Sequence, residues 1–340
     1  MCSVFHAGTR YETEIAGVVE VPLLALTART VTANSARLVR EARGVQMSED
    51  LLGATVRLTS SVEALAALAA YARIRTEGME IDPEIEAALT GIANHLLGDE
   101  SRAMAQAPQA IGMSRAFLRE SLALVDDPAR VGGWSTTDVG VLQGVGRLSM
   151  AIAPVIAGVA PGLPGLATSL AKSGASILDI GTGTGWLAIA LARTFPNARV
   201  TGIDIYETSL ELARANVAAE GLSDRVTLEL CDVTKLARPD TFDAVWLPLP
   251  FLPREIIASA IERSVDVLRP GGWLLPGTFA GPDDELSQRL LELRILRSGG
   301  HPWKADELIA MMTDSGLAGP TEIHRNWNAP VRLFAGRTRT

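Results

Sequence analysis

Hydrophobic and polar positions divide this chain into two halves with different periods. Up to about Gly140 the apolar residues recur at helical spacing. Leu51 to Arg73 is rich in alanine and leucine, and Ser114 to Val125 makes a further segment. Between them, Pro83 to Leu97 begins behind Asp82, a cap residue followed by proline in the first turn. No stretch there alternates as a strand does, which predicts an all-helical region from Val21 to about Gly140. Gly132-Gly133-Trp134-Ser135-Thr136-Thr137-Asp138 reads as a hinge, with Ser135 or Thr136 capping the helix that follows. Leu148 to Ala171 then runs without a charge, long enough by count to cross a bilayer. Pro154, Pro161 and Pro164, with Gly158, Gly162 and Gly165 among them, break such a span in its middle. The expectation is no membrane span, but buried helical pieces separated by a turn near Pro161 to Pro164.

Beyond that run, short apolar stretches alternate with amphipathic ones. Ile177, Leu178 and Ile180 form a strand, and Trp186-Leu187-Ala188-Ile189-Ala190-Leu191-Ala192-Arg193 is helical. Arg199 to Ile205 is a second strand, Glu207 to Glu220 an amphipathic helix, Arg225 to Leu230 a third strand, and Phe242 to Leu247 a fourth. Between the first strand and the first helix, Gly181, Gly183 and Gly185 remove side chains from the turn. The helix amides behind such a turn are unpaired and can donate to a ligand.

The glycine spacing discriminates among ligands. A dinucleotide fingerprint needs G-x-G-x-x-G, and here the third glycine comes one residue early, with Trp186 after it. A phosphate loop needs Gly-Lys-Ser or Gly-Lys-Thr, and the turn has no lysine. Both absences argue against a nicotinamide or ATP site. The sequence Asp179-Ile180-Gly181-Thr182-Gly183-Thr184-Gly185 instead resembles motif I of the class I S-adenosylmethionine-dependent methyltransferases. Later elements extend the resemblance from about Leu170 to Thr340, among them Leu268-Arg269-Pro270-Gly271-Gly272-Trp273-Leu274-Leu275, which is similar to the family's turn and fifth strand.

The resemblance implies an α/β fold: a Rossmann-like seven-stranded methyltransferase sheet with helices on both faces, here preceded by an all-helical N-terminal domain. It also implies a cofactor, S-adenosylmethionine, leaving as S-adenosylhomocysteine. Asp179 matches the residue that orients the ammonium end, and Gly181, Thr182, Gly183, Gly185 and Trp186 form the turn. Asp204, followed by Ile205, stands where the family holds the ribose hydroxyls. Cys231, Asp232 and Val233 occupy the adenine position, and Leu247 ends the fourth strand. Taken alone, Asp204 suits a helix cap as well as a ribose contact, and Asp232 suits a turn cap. Asp179, between apolar neighbours, needs either a cofactor or a backbone donor to be buried.

Composition adds limits. The 340 residues suggest about two domains, and 47% apolar content is ample for their cores. The expected division is a helical domain over 1–140, a helical linker over 141–172 and the cofactor domain over 173–340. The resemblance is to bacterial small-molecule methyltransferases, in which a helical N-terminal domain closes over the acceptor or builds a homodimer. A net charge of −8 argues against nucleic acid as a partner. Cys2 and Cys231 are the only cysteines, far apart, so a reducing cytoplasm is the default location. Met1 to Tyr11 lacks the basic start and apolar run of a signal peptide. No metal site is expected.

The acceptor side is read partly from what is missing. Methyltransferases acting on amide or adenine nitrogens carry Asn/Asp-Pro-Pro-Tyr/Phe after the fourth strand, whereas this chain has Leu247-Pro248-Leu249-Pro250-Phe251. Leucine cannot accept a hydrogen bond, which disfavours such acceptors. Among the four histidines, His301 precedes the last helix and is the candidate base; His324, in a strand expected over Glu322 to Arg325, is second, and His6 and His95 have no role suggested by context. Pro248, Phe251, Trp303 and Trp327 are candidate pocket walls, and Trp246 and Trp273 are core. Together these suggest methyl transfer to oxygen, carbon or nitrogen of a small, largely apolar molecule, of the kind met in natural-product metabolism. The alternatives are a sulfonium-assisted rearrangement or cyclisation, and a noncatalytic binding or dimerisation module.

Overall fold

The computed structural model describes residues 50–98, 104, 107–133 and 137–339. By compactness it divides into residues 1–59 and 60–340. The larger unit therefore takes in most of the helical region as well as the sheet. Within the described part of the smaller unit, Leu51 to Thr59 is helical, the start of α1 (Leu51–Glu77).

In the larger unit α1 is followed by α2 (Pro83–Leu97) and α3 (Ala107–Asp126). Asp82 caps α2 as expected, its Oδ1 accepting from the amides of Glu84 at 2.8 Å and Ile85 at 3.2 Å. Next come α4 (Val139–Ser149), α5 (Ile152–Val159) and α6 (Leu166–Ala171). The cap of α4 is Asp138, which accepts from the Val141 amide at 3.0 Å. That corrects the sequence expectation of Ser135 or Thr136, which lie outside the described residues with Trp134. The uncharged run is indeed broken: a 3-10 turn over Ala160–Gly162 and a left-handed Gly165 separate α5 from α6. By length and composition alone, Leu51–Glu77 and Val139–Gly162 could cross a membrane; a third of the latter's most apolar window is buried.

Helices α3 and α4 approach closely because glycines meet at their crossing. A Cβ on Gly144 would lie 2.8 Å from the Gly112 carbonyl oxygen. That crossing builds one wall of the cavity described below.

The sheet has strands β1 (Ala175–Ile180), β2 (Ala198–Asp204), β3 (Val226–Leu230), β4 (Phe242–Pro248), β5 (Leu268–Phe279), β6 (Ala318–Glu322) and β7 (Val331–Arg337). Their order is β3-β2-β1-β4-β5-β7-β6. The first five are parallel, and β7 runs antiparallel to both β5 and β6. Helices α7 (Trp186–Thr194), α8 (Glu207–Ala219), α9 (Ile257–Asp266), α10 (Glu285–Arg297) and α11 (Ala305–Asp314) complete the described chain. The family's seven-stranded sheet is thus present.

Strand side chains alternate between two cores. Ile177, Trp246, Leu275 and Leu333 enter one; Leu178, Val245, Leu274 and Phe334 enter the other. Burial on both faces is what a sheet covered by helices on each side requires. Each fully buried Leu or Ile contributes about 1.5–3 kcal/mol, and α7, with Leu187, Ile189 and Leu191 at 2% exposure or less, is among the most deeply set elements.

Candidate functional site

Strand order reverses at β1, which pairs with β2 on one side and β4 on the other. The carboxyl ends of parallel strands at such a reversal open into a crevice, the usual ligand position in this architecture. Here the crevice holds the glycine turn. Gly181, Gly183 and Gly185 have φ of 63°, 54° and 79°, a left-handed region costly for other residues. At Gly185 a Cβ would also meet Ala213 at 3.0 Å, so this position keeps the turn close to α8.

Two carboxylates organise the turn. Asp179, 1% exposed, accepts from the Thr182 hydroxyl at 2.7 Å. Asp204, 8% exposed, accepts from the Gly183 amide at 2.8 Å through one oxygen and from the Tyr206 amide at 2.9 Å through the other. Asp204 thus ties the turn to the end of β2; the residue preceding α8 in cap position is Tyr206. Burial pushes the Asp179 carboxyl up to about 7, Thr182 opposes the rise and the charge of Asp204 adds to it. Asp204 is also raised, by burial, against the pull of the Tyr206 and Gly183 amides. Paired buried acids repel a pyrophosphate and favour a cation. An ammonium and a sulfonium both meet that requirement, so the residues fit S-adenosylmethionine.

Around this centre the other expected contacts fall into different places. Ile205, 59% exposed, and Tyr206, 42% exposed, present apolar surface beside Asp204. Cys231 is half-buried, with its thiol pKa raised by burial. Asp232 caps a short 3-10 turn, one oxygen accepting from the Thr234 amide at 2.9 Å and hydroxyl at 2.8 Å, which lowers its pKa. Val233 and Leu247 are core side chains, 5% and 0% exposed. Trp186 also belongs to the core, and its indole N–H donates to Gln143 Oε1 at 2.5 Å. For these three the side chain packs into the core, which leaves the backbone as the part of each residue facing the crevice's contents in the cofactor assignment.

Gln143 is a residue the sequence reading missed. Its Oε1 also accepts from Asn216 Nδ2 at 3.1 Å, and Asn216 Nδ2 reaches the Thr184 carbonyl at 2.8 Å. One amide pair thus ties α4 and α8 to the glycine turn. The only sequence signal was a polar residue in the apolar face of α4, beside the buried Val141 and Leu142.

A second feature opens on the other face of α4. A cavity of about 540 Å³ is walled by Phe117, Leu148, Phe251, Phe279, Leu293 and Val331, among others. Phe251 and Phe279 meet edge to face at 5.8 Å. The segment after β4 joins the cavity to the glycine turn. Pro248 Cγ would be 3.2 Å from a Cβ on Gly181, and Pro250 and Phe251 are cavity wall.

Of the candidate wall residues only Phe251 lines this cavity. Pro248 is buried against Gly181 instead. Trp303 packs on the core with Arg254 over its ring at 5.7 Å, and Trp327 packs on the other core and donates to the Val331 carbonyl at 3.0 Å. His301 stacks edge-on against Trp303 at 4.5 Å, off the cavity wall, in the connection between α10 and α11. His324 lies beyond β6, which ends at Glu322 rather than continuing to Arg325. Its side lines a separate polar hollow with Glu322, Arg325 and Arg332. No cluster of potential metal ligands occurs among the described residues.

Comparison with known proteins agrees with this geometry. The sequence family described as a methyltransferase domain matches residues 177–272. The chain is 38% identical over 129 residues to a release factor glutamine methyltransferase of Rhodopirellula baltica, covering 37% of this chain and 42% of that protein. It is 39% identical over 111 residues to a 27-O-demethylrifamycin SV methyltransferase of Amycolatopsis mediterranei, covering 32% and 40%. The chain thus spans less than half the length of these curated relatives. Human N-acetylserotonin methyltransferase, solved with S-adenosylmethionine, superposes with a TM-score of 0.58 at 16% identity, over 87% of this chain and 100% of that one. Residues 177–272 therefore match a methyltransferase domain, and the chain shares the fold of the human S-adenosylmethionine-dependent enzyme.

Proposed function

We propose that this protein transfers a methyl group from S-adenosylmethionine to a small, largely apolar acceptor held in the cavity beside α4. The observation that carries this reading is the four-residue segment Pro248–Phe251, which touches the glycine turn at one end and walls the cavity at the other. Asp179 and Asp204 hold the cofactor, with the exposed Ile205 beside its ribose and Asp232 near its adenine. When bound, the cofactor supplies an electrophilic methyl carbon on sulfur. The chain's own contribution is alignment and exclusion of water, since in-line displacement gains most from orientation.

Leu247 bears on the acceptor class. In this chain the residue at the head of the Leu-Pro-Leu-Pro segment is fully buried in the core, and its side chain has no polar atom to offer. A planar amide or adenine amine would lack a side-chain partner there, so the reading disfavours those acceptors even though the Rhodopirellula baltica relative is named for glutamine. The Amycolatopsis mediterranei relative is named for an O-methylation of a natural product, which supports a small-molecule acceptor here.

The test is incubation with methyl-deuterated S-adenosylmethionine and a panel of phenols, polyketide acids and peptides, read by mass spectrometry. Transfer of an intact trideuterated methyl group to a small molecule supports the reading. Formation of a product isomeric with its substrate, with no labelled methyl, replaces methyl transfer with a sulfonium-assisted rearrangement.

A further inference from the structure

The charged groups on the cavity wall are unbalanced. One carboxylate, Glu120, faces three guanidiniums, those of Arg130, Arg294 and Arg297. Glu120 is already engaged: Arg130 Nη2 lies 3.0 Å from its Oε2. Arg294 lies over the Phe117 ring at 4.4 Å, and neither it nor Arg297 forms an ion pair among the described residues. Arg297 Nη2 is buried with no hydrogen-bond partner. An apolar cavity in a chain of net charge −8 has thus gathered two cations and left them without acids.

From this cluster we propose that the acceptor is an organic anion, an apolar molecule carrying a carboxylate that seats on Arg294 and Arg297. The proposal rests on the methyl-transfer reading for the word acceptor, but not for the binding itself. The planar fork of a guanidinium matches a carboxylate with paired donors. Arg294 and Arg297 are three positions apart on α10, hence neighbours on its surface and able to share one ligand. Leu290 and Leu293 on the same helix, with Phe117 opposite, give the apolar body of the molecule its place. The buried, unpartnered Arg297 Nη2 is the donor that a bound carboxylate would satisfy.

The probes are 2-naphthoate and its uncharged isostere 2-naphthamide, titrated by ligand-observed NMR into the full chain with S-adenosylhomocysteine present. S-adenosylhomocysteine binding is measured separately by calorimetry on the same samples. The expected result is at least a tenfold preference for naphthoate. Arg294→Gln with Arg297→Gln should reduce the preference to within about twofold while leaving naphthamide binding in place. Arg294→Lys alone should keep most of the preference, and Arg289→Gln, on the outer face of α10, should keep all of it. Equal affinity for the two probes, no binding of either, or a preference that survives the double substitution overturns the proposal. Loss of S-adenosylhomocysteine binding overturns methyl transfer instead, and the naphthoate comparison, repeated without it, still decides the anion site.

Discussion

The glycine turn and the cavity beside it are built on opposite principles. At the turn, both buried carboxylates have partners within a few residues of chain or on the adjoining strand: Asp179 with Thr182, and Asp204 with Gly183 and Tyr206. In the cavity, Arg294 and Arg297 come from α10, yet the groups around them come from α3, α4, the end of β5 and the start of β7. The turn is self-satisfied and negative. The cavity is open, apolar and positive. The comparison teaches that the first site is specified locally and the second is specified only by tertiary assembly, with α4 and the Pro248–Phe251 segment common to both.

The largest expected effect comes from attacking α4. A Cβ on Gly146 would lie 2.0 Å from Thr184 Oγ1 and 2.9 Å from Trp186 Cδ1. Gly146→Val should therefore cost about 1–3 kcal/mol by overpacking. It should also weaken S-adenosylhomocysteine binding, because the side chains it would displace belong to the glycine turn. Chemical denaturation and calorimetry check both; an unchanged affinity would separate the two regions that the comparison joins.

Removing the amide clamp should have a smaller effect. Gln143→Ala leaves the Trp186 indole and Asn216 each short of a partner, and because both bonds are half-buried and Asn216 keeps the Thr184 carbonyl, the loss should be about 1 kcal/mol. Gln143→Glu should recover part of it, because a carboxylate can still accept from both donors.

A pH series sharpens the electrostatic half of the comparison. The Asp179 carboxyl rises from an ordinary 3.8 to about 7 in the folded protein. Between those values the folded state keeps a proton that the unfolded chain has released, so the stability of the ligand-free protein falls as pH rises through that window. Asp179→Asn should flatten the dependence. Binding of the cationic cofactor should run the other way, strengthening as pH rises through about 7 and Asp179 becomes ionised.

The smallest effect should be at His301. A general base typically contributes a factor of 10²–10⁴, so if His301 served as one, His301→Ala would lose that much of kcat. Its ring lies against Trp303, away from the cavity wall, and the expected change is less than about threefold in an assay of methyl transfer.

How much was legible in the sequence follows the same division. The turn, its two acids and the strands that carry them are encoded by short apolar runs, glycines and one-residue spacings, all of which survive in a string of letters. Asp82 announced its helix because capping is local, whereas Asp138 went unseen behind Ser135 and Thr136, which are equally good cap residues. Trp186 and Leu247 share sequence positions with cofactor contacts, but neighbours distant in sequence turn their side chains into the core. Trp303 and Trp327 sit in connections, as an aromatic pocket wall would, yet each found a core to cover. Arg294 and Arg297 look like ordinary basic residues in the last turn of a helix. Only the arrival of Phe117 and the far strands makes a cavity of their surroundings.

The central claim is that the turn holds S-adenosylmethionine through Asp204. Calorimetric titration of S-adenosylhomocysteine into the wild-type protein and Asp204→Ala tests it most directly. The account predicts binding to the wild type and a loss of about 1.5–3 kcal/mol in the variant, the range for hydrogen bonds to charged groups, with the fold retained by circular dichroism. No binding to the wild type, or equal binding to both proteins, would contradict it.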